Sequence, residues 1–238
     1  MFIWGALMLD VQNLDLKYGQ SQILFDISMS AALGKITAVM GNNGVGKTSL
    51  LKAMSGRHPI SGGAVSVDGQ PLKLISAFHA ARAGVAYVPQ GREVFAMMSV
   101  LENLETGFAC LPKEDHAIPD FVFDLFPVLK DMQHRRGGDL SGGQQQQLAI
   151  ARALITKPKV LLLDEPTEGI QPNVIQQIGD ALETLRGQGN MAIVLVEQNA
   201  DFAYRIADTF TVVEQGRVKR HADKAGYSKD DLMSDLAL

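Results

Sequence analysis

The chain has a single cysteine, Cys110, in 238 residues, together with one tryptophan and four tyrosines. A lone thiol closes no internal disulfide, so the fold must rest on burial, and a reducing compartment is the natural setting. Long apolar runs are missing too: no segment reaches the roughly 18 consecutive apolar residues that a membrane-spanning helix needs. The apolar start, Met1 to Leu9, lacks the basic flank and small-residue cleavage site of a secretion signal. It reads as an extension over residues 1–7, ahead of a second possible start at Met8. Nor is positive charge in excess. A formal net charge of -4 and a pI near 5.7 give no general pull toward a nucleic-acid backbone or an anionic membrane surface. No internal repeat is visible, and the only low-complexity stretch is Gln144 to Gln147.

What the chain does have is an apolar fraction of 46% and a charged fraction of 20%, the balance of a globular domain with a real core. Four apolar runs, Ile36 to Met40, Val85 to Val88, Val160 to Leu163 and Ala192 to Val196, suit strands of a parallel sheet covered on both faces. Helical patterns between them make this an α/β protein. Around Asp10 to Met29 and Ala64 to Leu74 the runs shorten and alternate, with turn pairs at Tyr18-Gly19 and Asp68-Gly69. These predict an antiparallel edge. Between about residues 91 and 156 strand-like runs stop, and prolines and glycines break a helical pattern. The expected layout is a core over about 8–90 and 157–238, with a helical insertion over about 91–156.

Gly41-Asn42-Asn43-Gly44-Val45-Gly46-Lys47-Thr48 follows one predicted strand and opens a helix. That is the place and spacing of a phosphate-binding loop. Glycines let consecutive N–H groups turn inward to phosphate oxygens, and the helix N-terminus favours the anion. Lys47 can neutralise the terminal phosphates, and the Thr48 hydroxyl can ligate Mg²⁺. The run Val160 to Leu163 delivers Asp164 and Glu165 at its C-terminal end, where ligands sit in open α/β sheets. Asp164 suits water-mediated Mg²⁺ binding, and Glu165 suits polarising the water that attacks a γ-phosphate.

Leu140-Ser141-Gly142-Gly143-Gln144 matches the signature motif of the ABC ATPases. With it, nearly the whole chain resembles that family in motif order: Tyr18, the phosphate loop through Ser49, Gln90, the signature, and the Asp164-Glu165 strand. The resemblance implies a P-loop NTPase core in which Tyr18 stacks on adenine and Gln90 joins Thr48 and Asp164 around Mg²⁺. It implies catalysis by Glu165 with Lys47 and Gln198. Ser141, Gly142, Gly143 and Gln144 would then contact the ATP held by a second ATPase subunit, identical or related, so that neither subunit owns a complete site. The implied partners are two membrane permease subunits and an extracytoplasmic solute-binding protein, with no nucleic acid, and the implied place is the cytoplasmic face of the membrane. At least two of the glutamines at 144–147 read as a solvated helix face. Phe95, near Arg92, reads either as an exposed contact for the permease or as ordinary core.

Two positions depart from the family pattern. Gln198 stands where a histidine is usual, and Glu168-Gly169-Ile170-Gln171 replaces a loop that usually carries an aspartate. The stretch Tyr87 to Glu93 with Val196-Glu197-Gln198 resembles the ATPases of branched-chain amino acid and urea importers. Gln144 to Ala149 with Glu165 to Pro172 resembles the urea importer's subunit, so urea is the expected cargo and branched-chain amino acids the alternative. A soluble ABC ATPase acting on nucleic acid or the ribosome fits less well, because coiled-coil insertions and basic surfaces are absent. A clamp that binds ATP without turnover is opposed by the intact Glu165.

Overall fold

The computed structural model describes residues 7–72 and 76–237. Residues 1–6 of the expected extension, and the end of the alternating run that reaches Leu74, lie outside the described residues. Leu7, assigned to the extension from sequence, instead pairs with Ala32 at the start of the first strand.

The fold is α/β with two sheets. The smaller is antiparallel, in the order β2 (Ser21–Ala32), β1 (Leu7–Tyr18), β4 (Gly62–Val67), β5 (Gln70–Pro71). Its turns fall where the sequence placed them: Gly19, Asp68 and Gly69 all have positive φ, which tight hairpin turns require. The larger sheet has the order β10 (Arg217–Asp223), β9 (Thr209–Glu214), β3 (Ile36–Met40), β8 (Ala192–Val196), β7 (Val160–Asp164), β6 (Val85–Val88). It is parallel except for β10, which pairs antiparallel with β9. Strands β9 and β10 were not expected from sequence. The first is a short buried run ending in no motif, and the second reads as charged because it is an edge facing solvent.

Burial explains why β3, β7 and β8 lack polar alternation. Every residue in them is buried, and successive side chains feed two cores. Ile36, Ala38, Met40, Leu161, Leu163, Ile193 and Leu195 join the core under the helices. Val39, Val160, Leu162, Ala192, Val194 and Val196 join the core shared with the antiparallel sheet.

The helices are α1 (Lys47–Met54), α2 (Ala77–Arg82), α3 (Val100–Glu105), α4 (Asp120–Leu125), α5 (Pro127–Asp131), α6 (Gly142–Ile155), α7 (Pro172–Gln188), α8 (Ala200–Ile206) and α9 (Lys229–Leu236). Between Gly91 and Thr156 the described residues form α3 to α6 and short 3₁₀ turns, with one isolated bridge, Ser99 to Arg136. Local chemistry sets several helix starts. Ser141 caps α6 in a reciprocal box with Gln144, and Pro172 opens α7. Helix α1 differs: its cap is Gly46 at φ 106°, and no side chain covers its first amides.

Candidate active site

The loop Gly41–Lys47 links β3 to α1, and two of its glycines have no substitute. A Cβ at Gly41 would lie 2.3 Å from the Val213 carbonyl oxygen, and one at Gly46 2.5 Å from Leu24. The loop is therefore held close against Val213 and Leu24, and the first amides of α1, capped by no side chain, suit an anion. Lys47 is buried, and its ammonium donates to the carbonyls of Gly41 at 2.7 Å and Asn42 at 2.8 Å. Burial holds that ammonium below its ordinary range, against the pull of the Glu165, Asp164 and Glu197 carboxylates. A polyphosphate would supply the missing counter-charge.

Strand β7 ends beside this loop. Asp164, 1% exposed, accepts from the Thr48 hydroxyl at 3.2 Å and from the Tyr87 hydroxyl at 2.9 Å. Burial pushes its carboxyl up against those two hydrogen bonds. Burial and the neighbouring Asp164 push the Tyr87 phenol well above its usual range, so Tyr87 stays a donor. Glu165 turns out of the strand at φ 47°, a left-handed conformation that costs a non-glycine residue on the order of 1–3 kcal/mol. Its amide donates to the Val196 carbonyl at 2.9 Å, and its carboxylate accepts from the Gln198 amide at 2.7 Å. Gln90, after β6, donates to Glu168 at 2.8 Å and lies 3.4 Å from Glu165.

Lys47, Thr48, Gln90, Glu165, Glu168 and Gln198 line one open cleft of about 430 Å³ together with Tyr18, Asn43, Gly44, Gly46 and Ser49, and Asp164 is joined to it through its bond from Thr48. Tyr18 is 41% exposed and its ring centroid lies 4.2 Å from that of His58, leaving a flat apolar surface for a base. Ser141, Gly142, Gly143 and Gln144 do not line this cleft. Among the described residues no cluster of three His, Cys, Asp or Glu side chains could hold a metal alone. Thr48 and Asp164 with Gln90 instead offer the few oxygens that Mg²⁺ takes when phosphate and water complete its shell.

The sequence missed three participants. Tyr87 fixes Asp164. Glu197, 2% exposed, accepts from the Thr167 amide and hydroxyl at 3.1 and 2.7 Å and from the Gln198 and Asn199 amides at 3.1 and 3.2 Å, tying the loop after β7 to the loop after β8. Glu168 was seen only as part of a divergent loop, yet it lines the cleft. The glutamine run is a correction. Gln146 and Gln147 are buried, and Gln144 and Gln145 half-buried: Gln144 accepts from the amide of its own helix cap, Ser141, whereas Gln145 donates to Gly137 and Gln147 to Gln177 on neighbouring elements. Gln146 is buried with its Nε2 unpartnered among the described residues. Phe95 is 49% exposed beneath the Arg152 guanidinium, 5.2 Å from it.

A glycine loop at a helix start, with buried Asp164 and half-buried Glu165 delivered at the end of β7, two strands away in the same parallel sheet, defines a P-loop ATPase. The chain belongs to the ABC transporter family, whose model matches residues 24–168; it is an ATP-binding subunit that hydrolyses ATP. It is 41% identical over 232 residues to the high-affinity branched-chain amino acid transport ATP-binding protein BraG of Pseudomonas aeruginosa, covering 97% of this chain and 99% of that one. It is 38% identical to the probable branched-chain amino acid transport ATP-binding protein LivF of Archaeoglobus fulgidus, over 89% and 90% of the two chains. Its fold matches a nucleotide-free ATP-binding cassette from an ABC transporter with a TM-score of 0.83, at 22% identity over 97% and 95% of the chains.

Proposed function

We propose that this chain is the ATPase subunit of an ABC importer, and that it works as one half of a dimer closing around two ATP molecules. The observation that carries the reading is a division of labour. Lys47, Thr48 and the Glu165–Gln198 pair line one cleft, with Asp164 bonded to Thr48, whereas the signature residues Ser141 to Gln144 do not line it. Their capped helix start is then free to meet the nucleotide of a second subunit.

Within one cleft, Tyr18 stacks on adenine, and the amides from Gly41 to Ser49 with Lys47 grip the phosphates. Thr48, Gln90 and Asp164 would hold Mg²⁺, which would supply positive charge against the phosphates. Glu165 orients and deprotonates the attacking water, and Gln198 holds that carboxylate in place. No helix among the described residues is long and apolar enough to cross a membrane, so the path for solute belongs to two permease subunits and the chain sits peripherally at the cytoplasmic face. A second cleft of about 530 Å³, with exposed Phe95 and Arg57 and half-buried Val94 and Arg152 along it, suits a short helix from a permease. A solute-binding protein on the far side completes the system.

Cargo never touches this chain, so ancestry alone records it. The two relatives above, matched over most of the chain, favour branched-chain amino acids. Urea, the reading from Gln144 to Ala149 and Glu165 to Pro172, retains the support of those two stretches. Cells whose only copy is Lys47→Ala should lose uptake of one labelled solute, urea or leucine, and keep the other. Unimpaired uptake of both would contradict the importer reading with either cargo.

A further inference from the structure

Gln90 carries an amide whose two ends are nearly the same size and opposite in chemistry: the nitrogen donates and the oxygen accepts or ligates. A metal can use only the oxygen. The protein must therefore decide which end faces the cleft.

We propose that Glu168 makes that decision and is a positioning residue for Gln90. The inference rests on the reading of Gln90 as an Mg²⁺ ligand. Gln90 Nε2 donates to Glu168 Oε2 at 2.8 Å, and its next neighbour is Glu165 Oε2 at 3.4 Å. An ionised carboxylate only accepts, so both neighbours select the nitrogen. The oxygen is left as the free end, with no protein partner among the described residues. Of the two carboxylates, Glu165 already accepts from Gln198 at 2.7 Å, and the shorter bond to Gln90 comes from Glu168.

Glu168 is the anchored member of the pair. Its amide donates to the Glu165 carbonyl at 3.2 Å, and Thr167 before it is bonded twice to buried Glu197. Gln90 instead precedes three consecutive residues with positive φ, Gly91 at 87°, Arg92 at 72° and Glu93 at 47°. That strained turn would not hold an exposed amide in one orientation unaided. Charge points the same way. A second carboxylate beside Glu165, in a cleft built for a polyanion, works against nucleotide binding, so Glu168 has no ground-state role as a phosphate ligand. Orienting the metal's amide is what its acceptor-only chemistry suits.

The test is calorimetric titration of the full chain with ATP, once with Mg²⁺ and once with EDTA, reading the ratio of the two affinities. In Glu168→Ala that ratio should fall on the order of 10-fold, the low end for loss of a group that orients a metal ligand, with metal-free ATP bound as well as before or more tightly. Gln90→Ala should lower the ratio by as much or more, and adding Glu168→Ala to it should change nothing further. An unchanged ratio in Glu168→Ala, beside a lowered one in Gln90→Ala, overturns the positioning role alone. Equal losses with and without Mg²⁺ in Glu168→Ala also overturn it, by making Glu168 a builder of the loop. An unchanged ratio in Gln90→Ala removes Gln90 as a metal ligand, and this inference with it.

Discussion

Glu165 is held by an amide where the wider family uses an imidazole, and the difference can be measured. Gln198 donates to its carboxylate at 2.7 Å, and an amide does not titrate. Gln198→Ala should lower kcat roughly 100-fold to 1,000-fold, the span for losing one oriented donor, with little change in ATP affinity. Gln198→His should add an ionisation to the pH–rate profile between about pH 5.5 and 7.5. Superimposable profiles, with near-normal turnover in the alanine variant, would place Gln198 outside the reaction. Asp164 supplies a second prediction. Its carboxyl is raised by burial, so the fold binds its proton more tightly than the unfolded chain does. Its contribution to stability is full below the unfolded pKa of about 3.9 and is lost as pH rises through the higher folded value. Asp164→Asn should therefore raise the neutral-pH Tm of the metal-free protein, by roughly 2–4 °C for each kcal/mol gained. A lower Tm by calorimetry would contradict the assignment. At this scale the phosphate loop and Asp164-Glu165 were legible, because contiguous residues carry their chemistry. Tyr87, Glu168 and Glu197 were not. Each acts on a loop from another strand, and only the register of β6, β7 and β8 brings those loops together.

Helix α6 begins with two adjacent glycines whose surroundings differ. A Cβ on Gly142 would lie 2.7 Å from the Arg92 guanidinium, a flexible group that can move aside. One on Gly143 would lie 2.8 Å from Cγ1 of Val174, a partly buried side chain of helix α7 packed against the core. Gly143→Ala should thus cost about 1–3 kcal/mol of stability, as overpacked cores do. Gly142→Ala should leave Tm nearly unchanged, yet it puts a methyl beside amides that an anion must approach, so ATP turnover should fall by about 100-fold or more, the lower limit for losing one such donor. Equal melting temperatures for the two variants would show that the helix packs otherwise. The buried central strands were legible as continuous apolar runs, and the hairpins as glycine turns. The glutamine run was misread because polarity was taken for exposure, whereas Gln145 and Gln147 pair with facing elements and Gln146 is buried. The strand β9 stayed hidden since a short buried run between a helix and a charged edge has no periodic signature.

On the reading proposed above, the whole molecule is one half of a working unit. Lys47, Thr48, Gln90 and Glu165 line one cleft, while Ser141 to Gln144 line none of it. If two chains complete each other's sites, ATP that cannot be hydrolysed must hold them together, since a ligand bound only by the associated state stabilises it by mass action. Glu165→Gln keeps the oxygen that accepts from Gln198 and removes the base. Sedimentation velocity of this variant is the direct measurement. With ATP and Mg²⁺ it should sediment as two chains and with ADP as one, and adding Ser141→Arg should return it to one chain under both conditions. A species that stays a single chain at saturating ATP, or a dimer indifferent to Ser141→Arg, would contradict the shared site.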